Sequence, residues 1–203
     1  MKNEFSQKNI PLSEYITSHL EMNAEILTET LNKQQRKEVE KGTLLLQPGE
    51  VCRHSIYVEQ GLLKYYAIDS KGKEHILQFA PEGWFVGDRE STFNHSASRY
   101  YIEAIEKSVV VFMDPYFFDQ FSEQVKGLSA YNIRLLQKHI CHLQNRIHQL
   151  LASTAEERYL EFIKLYPDIL LRVPQTMVAS YLGITPESLS RVRKELAQKN
   201  FRP

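Results

Sequence analysis

The chain lacks most of what would mark a membrane-spanning, secreted or metal-dependent protein. No run of 18 apolar residues occurs, so no segment reads as a transmembrane helix. Cysteine is nearly absent: Cys52 and Cys141 stand 89 residues apart. That excludes a disulfide scaffold and any Cys-x-x-Cys metal or redox site, and it fits a reducing compartment. The opening stretch, MKNEFSQKNIPLSEY, has no apolar core of the kind a signal peptide needs, and a cytoplasmic location is expected. There is no charge excess, since 25 Lys plus Arg balance 25 Asp plus Glu. A basic coat over the whole chain is excluded, whereas a local basic patch is not. No Gly-rich phosphate loop and no nucleophile with a nearby base is legible, so the chain does not read as an enzyme. His54, His75 and His95 are isolated, without the clustered His and carboxylate that a metal-holding β-barrel enzyme requires. The remainder is ordinary globular composition, 203 residues with 42% hydrophobic and 25% charged, long enough for two modules.

Glycine is scarce after residue 87, and this divides the chain. Six of the eight glycines (Gly42, Gly49, Gly61, Gly72, Gly83, Gly87) fall within 46 residues, at spacings of 7, 12, 11, 11 and 4. Such spacing punctuates short antiparallel strands. The intervening segments 43–47, 55–59, 62–68, 74–80 and 84–86, continued by 99–105 and 108–113, are rich in Val, Ile, Tyr and Phe. Residues 41–113 therefore read as a β-barrel or roll, with DSKGKE at 69–74 as a hairpin tip. Ahead of it, Leu12, Ile16, Leu20, Ile26, Leu27 and Leu31 are spaced for one or two helices packed on the roll.

Beyond Pro115 the period changes. Ile133, Leu136, Ile140, Leu143, Ile147 and Leu150 follow one another by steps of 3, 4, 3, 4 and 3. This heptad seam, with Ile at one core position and mostly Leu at the other, favours a parallel two-stranded coiled coil. The other reading is a long helix that packs on its own roll, for which Leu135 and Leu151 lie off the seam. Three regions result: residues 1–115, the N-terminal helices and roll; 116–152, the dimerisation helix; and 153–203, a helical C-terminal domain. Ser153 and Thr154 precede Glu156 and Glu157 at capping-box spacing, which starts a new helix that ends near Tyr166-Pro167-Asp168.

The stretch PQTMVASYLGITPESLSRVRKEL, residues 174–196, carries the most information. Met177, Val178 and Leu182 form an apolar stripe, Gly183 closes a first helix, Thr185 caps a second, and Pro186 occupies its first turn, where a missing N–H costs nothing. Leu189, Val192 and Leu196 face back, which completes a helix-turn-helix pattern. Glu187, Ser188, Ser190, Arg191, Arg193 and Lys194 point away. Residues 185–203 hold five Lys/Arg (Arg191, Arg193, Lys194, Lys199, Arg202) against Glu187 and Glu195, a local positive excess suited to phosphate neutralisation. An arginine near the start of such a helix can read guanine bidentately.

These residues resemble the recognition helix of the Crp/Fnr family of prokaryotic transcription regulators. The upstream pattern is similar too: Gly49-Glu50, SIYVEQGLLKYY, the hairpin DSKGKE, GWFVGD at 83–88 and the heptad helix, so the resemblance covers roughly residues 40–198. It implies an α+β chain with an N-terminal antiparallel β-roll of the cyclic-nucleotide-binding type. A long dimerisation helix and a C-terminal winged-helix-type helix-turn-helix follow, the wing being short or missing, since only AQKNFRP follows Leu196. The Glu187-x-x-Ser190-Arg191 pattern is the part most like the Fnr branch. The resemblance implies that Glu187 and Arg191 contact base edges with Ser190 assisting, and that Gln175 and Thr176 hold phosphates. Pro186 stands where the cyclic-AMP branch carries a base-reading Arg, which implies a TTGA-type half-site. Double-stranded DNA and a second copy of the chain are the expected partners, with RNA polymerase and an unidentified small effector as further candidates and no membrane.

The effector site departs from the cyclic-AMP branch. There a Glu follows the Gly of the phosphate cassette and an Arg-Ser pair lies eleven residues after it; here Asp88 follows Gly87 and the pair reads Ser98-Arg99. On a strand, a one-residue shift sends the guanidinium to the opposite face, and a phosphate loses its main partner. No bound cyclic nucleotide is expected, and with no cysteine before Cys52 no iron–sulfur ligand cluster either. His139 and His142, at i and i+3 beside the seam, read as a solvated face rather than a metal clamp, and no cofactor is expected. The effector-pocket candidates are Gly87, Asp88, Ser98 and Arg99 with Leu143 and Gln144 on the facing helix. The rival reading is a ligand-binding or protein-interaction module whose helix-turn-helix no longer functions on DNA.

Overall fold

The structure is a computed structural model that describes residues 9–18 and 25–200. Leu20, the side chain of Ile26 and residues 201–203, expected as helix face and wing remnant, lie outside the described residues. The chain forms two compact units. One takes in residues up to Ile68 together with Leu77–Leu135, the other Asp69–Ile76 together with Leu136 onward.

The first unit is built on a β-roll. Its strands are β1 (Gln35–Val39), β2 (Leu44–Leu46), β3 (Ser55–Gln60), β4 (Leu63–Ile68), β5 (Glu74–Ala80), β6 (Phe85–Val86), β7 (Tyr101–Ala104) and β8 (Ser108–Met113). They form two four-stranded sheets, ordered β1-β8-β3-β6 and β2-β7-β4-β5. β8 pairs antiparallel with β1 and β3, and β7 antiparallel with β2 and β4. Ile56, Val58, Leu63, Ile102, Ala104 and Val110 are buried in one apolar cluster, with Leu45, Tyr65, Trp84 and Phe112 packed against it. The strands expected at 43–47, 55–59, 62–68, 74–80, 84–86 and 108–113 are present to within one residue at each end, whereas 99–105 shortens to Tyr101–Ala104 and leaves Arg99 outside the strand.

A second cluster explains why β3 is buried on both faces. Leu12 and Ile16 of α1 (Leu12–Thr17), Leu27 and Leu31 of α2 (Glu25–Asn32), and Phe117 and Phe118 of α4 (Phe117–Phe121) share it with Tyr57 and Val111. Leu128 and Tyr131, from the start of the long helix α5 (Leu128–Ala152), belong to the same cluster, and Leu135 packs against it. The spacing expected of the N-terminal helices is met by two of them. A bulge between Val58 and Gln60 re-aims Glu59, whose carboxylate accepts from the Leu12 N–H at 3.0 Å and from Arg36 Nε at 2.5 Å. At Gly61 (φ 95°) there is no room for a side chain: a Cβ there would fall 2.7 Å from the Cα of Ser108.

The second unit contains the rest of α5, then α6 (Ala155–Leu165), α7 (Ile169–Arg172), α8 (Gln175–Leu182) and α9 (Pro186–Asn200). The α5 seam is solvent-facing: Ile133, Ile140 and Ile147 are 55%, 55% and 57% exposed, Leu143 and Leu150 47% and 46%. Leu136 is half-buried. The two off-seam leucines part company. Leu135 packs on the roll core, but Leu151 is 82% exposed and packs on nothing there, which corrects the expectation for that residue. It sits one residue before the helix ends, on its outward side.

Candidate nucleic-acid interface

The helix-turn-helix is assembled by local chemistry that the sequence displays. Thr154 and Glu157 form a reciprocal capping box: the Glu157 N–H donates to Thr154 Oγ1 at 3.2 Å, and the Thr154 N–H donates to Glu157 Oε2 at 2.8 Å. α6 contributes Phe162 to an aromatic trio, with Tyr166 after it and Tyr181 from α8, ring centroids 5.3–5.6 Å apart. Tyr181, Leu182 and Val178 are buried. Gly183 ends α8 in the left-handed conformation (φ 66°), its N–H bonded to the Ser180 carbonyl. Thr185 Oγ1 then accepts from the Ser188 N–H at 3.2 Å, which caps α9, and Pro186 is its first residue. Leu189 and Val192 are buried, and Leu196 is half-buried.

With that face turned inward, the opposite one is set. Glu187, Ser190, Arg191, Arg193 and Lys194 are exposed on α9, Gln175 and Thr176 are exposed at the start of α8, Thr185 is exposed in the turn, and Ser188 is half-buried beside its cap. Glu187, Ser190, Arg191 and Lys194 recur at helical steps of three and four, so they share one stripe. Arg191, Arg193 and Lys194 form no ion pair among the described residues. Lys199 differs: its Nζ lies 2.8 Å from Glu156 Oε1, so it contributes less free charge than its sequence position suggests. Arg202 lies outside the described residues. The patch is thus narrower than the five cations counted from sequence and centres on the first three turns of α9. Hydrogen bonds from its own backbone N–H and from Thr185 lower the Glu187 carboxyl pKa, so it stands ionised on this face.

Sequence reasoning missed two residues of this unit, Arg146 on α5 and Arg158 on α6, whose guanidiniums donate to the Tyr181 and Leu182 carbonyls. Their roles depend on where α8 packs, and no local spacing announces that. Ser180 of α8 donates to the Glu74 carbonyl at 2.7 Å and accepts from the Ile76 N–H at 3.1 Å.

In the first unit, Gly87, Asp88 and Ser98 come together and Arg99 does not join them. Asp88 is buried and caps α3 (Arg89–Asn94), accepting from the Ser91 N–H at 3.2 Å and from Ser98 Oγ at 2.8 Å. Arg99 is exposed and pairs with Glu90 at 3.0 Å. The cassette thus presents a buried carboxylate satisfied by its own loop and no buried guanidinium, the reverse of what a phosphate requires. Leu143 and Gln144 are exposed residues of α5 in the other unit. His75, isolated in the sequence, meets Asp69 at 2.7 Å across the hairpin; that bond and the Lys73 and Lys71 N–H groups bring the Asp69 pKa down to about 2. Among the described residues no three His, Cys, Asp or Glu gather as metal ligands, and no helix is long and apolar enough to cross a membrane.

Residues 36–125 match the cyclic nucleotide-binding domain family. Over 179 residues the chain is 28% identical to the transcriptional regulator flp of Lacticaseibacillus casei, covering 81% of this chain and 77% of that protein. It is 26% identical over 180 residues to the fumarate and nitrate reduction regulatory protein of Yersinia pestis, covering 83% and 71%. Among solved structures, FixK2 from Bradyrhizobium japonicum superposes with a TM-score of 0.68 at 19% identity, over 82% of this chain and 86% of that one. A CooA variant from Carboxydothermus hydrogenoformans does so at 0.66 and 19%, over 88% and 86%. Those two share the fold. The roll match and the regulators aligned across most of the chain support reading it as a transcription regulator that resembles the Crp/Fnr family.

Proposed function

We propose that the protein is a homodimeric regulator that binds a palindromic DNA site, with Arg191, Glu187 and Ser190 of each α9 reading base edges in the major groove. The observation that carries this reading is the exposed stripe Glu187, Ser190, Arg191 and Lys194 on α9, in which an ionised Glu187 shares a face with two cations that form no ion pair among the described residues. Arg can donate two parallel bonds to guanine, and a carboxylate accepts from the cytosine amino group. The exposed Gln175, Thr176, Thr185 and Arg193, the half-buried Ser188, and Lys194 at the C-terminal end of the stripe suit phosphate contacts, which set register without specifying bases. The exposed seam from Ile133 to Leu150 supports pairing of two chains, which places two reading helices about 34 Å apart, one DNA turn. RNA polymerase is the second macromolecular partner of such a regulator. An effector, where one acts, does so by binding one arrangement of the helices better than another.

Selection of bound duplexes from a random pool, at low and at near-physiological salt, tests this directly. The expected product is a palindrome with TTGA-like arms that survives the higher salt. Each of Arg193→Ala and Lys194→Ala should lower the slope of log affinity against log salt by about 1 while leaving the selected sequence alone. Enrichment of no sequence at either salt would instead favour a protein-interaction module.

Cyclic AMP is not the effector in this reading. A phosphate at the cassette would meet Asp88, already engaged by Ser98 and Ser91, while Arg99 is held outside by Glu90. Millimolar cyclic AMP should leave the melting temperature unchanged. A ligand at a hundred times its Kd would stabilise by about 2.7 kcal/mol, so a clear upward shift would refute this view of the cassette.

A further inference from the structure

The last carbonyls of an α-helix have no partner within the helix and must find one outside it. At the end of α8 two guanidiniums supply it. Arg146, from α5, donates to the Tyr181 carbonyl and has its guanidinium over the Tyr181 ring, 3.9 Å from its centroid. Arg158, from α6, donates to the Leu182 carbonyl at 2.8 Å. One helical turn beyond Arg146, Leu150 reaches the turn itself: a Cβ on Gly183 would lie 3.2 Å from Leu150 Cδ2. α5 therefore holds α8 and the turn at two points, and α9 begins three residues after Gly183.

Nothing about Arg146 suggests a solvent-facing surface charge. Neither it nor Arg158 pairs with a carboxylate among the described residues. Burial pulls the Arg146 pKa down, Tyr181 and Tyr166 raise it, and the charge on Arg158 lowers it further. What holds the cation is the negative end of α8 and the face of a buried ring. A planar fork that must both stack and donate accepts few orientations, unlike a lysine ammonium, which can meet a carbonyl from many.

We propose that Arg146 is a positioning residue that fixes the rotation of the α8–α9 pair on the C-terminal half of α5, and so sets the half-site spacing the dimer accepts. This rests on the dimeric, palindrome-reading function proposed above. Arg146 acts through Tyr181 and Gly183 on a helix it does not itself belong to, so base preference and spacing preference should separate.

The experiment uses the full chain, wild type beside Arg146→Ala and Arg146→Lys. Binding is measured on palindromes with identical arms and spacers lengthened or shortened by one or two base pairs. Amide hydrogen exchange at Gly183 and Ile184 is followed without DNA. With alanine, the arms remain preferred, but discrimination between the best spacer and the next falls about tenfold, and exchange at the turn quickens about tenfold while Val192 is unaffected. Lysine keeps the charge without the stack, so it reproduces the alanine spacer profile; should the alanine variant not fold, lysine carries the test. Equal loss at every spacer, unchanged exchange at the turn, or full rescue by lysine overturns the proposal. If the wild type prefers no palindrome, the dimeric reading fails, and exchange at Gly183 and Ile184 then decides by itself whether Arg146 holds the turn.

Discussion

Replacing Arg191 with Ala should abolish the preference for one base pair in each half-site, a loss of about 1–3 kcal/mol per half-site, or roughly five- to more than a hundred-fold in discrimination. Arg191 is exposed in the N-terminal half of α9, where a recognition helix meets base edges, and no carboxylate competes for it among the described residues. Truncation removes two potential donors from the groove and leaves the fold alone, because the buried neighbours Leu189 and Val192 keep α9 in place. The pool-selection experiment shows the effect as one position in each arm turning degenerate while the others hold. Arg193→Ala is the matched control: its affinity should fall for all sequences alike, as expected for a phosphate contact. An Arg191→Ala variant that selects the wild-type sequence with undiminished discrimination would remove Arg191 from the base-reading set.

The parts of this molecule that were legible in sequence are those decided by local chemistry. Gly183 in a left-handed turn, Thr185 on the Ser188 N–H, Pro186 at the first helical position and the Thr154–Glu157 box each depend on residues within four positions of one another. The glycine spacing placed the strands for the same reason, since each turn is short. β1 was not legible. Its sequence QRKEV has four exposed residues out of five, and only its pairing with β8, more than seventy positions away, makes it a strand. α3 was hidden as well, because its cap, Asp88, belongs to the GWFVGD motif and was read only as part of a ligand cassette. Arg99 was legible as misplaced, but its destination, Glu90, was not. The Arg146 and Arg158 caps depend on how three helices pack, which no periodicity encodes. Exposure, likewise, separates Leu151 from Leu135 only once the helix has a roll beside its first turns.

Substituting Ile140 with Glu should convert the proposed dimer into a folded monomer. Ile140 is 55% exposed in the single chain and Leu143 is 47%, so neither holds its own subunit together, and a carboxylate at residue 140 costs the isolated chain little. In a parallel pair the same residue meets its counterpart across the seam, and two unpaired carboxylates would be desolvated side by side. An uncompensated buried charge costs about 3–5 kcal/mol, which weakens dimerisation by roughly two to four orders of magnitude. Sedimentation velocity at about ten times the wild-type dimer dissociation constant should show mostly dimer mass for wild type and mostly monomer mass for the variant, because a hundredfold rise in that constant leaves little dimer there. The circular dichroism spectrum should be unchanged. Asn145→Glu, on the exposed outward side of the same helix, should remain dimeric, which separates the seam from a general effect of negative charge. DNA binding provides the second readout. With one α9 per particle only a half-site is read, so the preference for a palindrome over a single arm should vanish while the arm's sequence is retained. A wild-type chain that sediments as a monomer, or an Ile140→Glu variant that stays dimeric, would mean that the exposed apolar seam serves another purpose and that symmetry in the DNA site has no structural basis here.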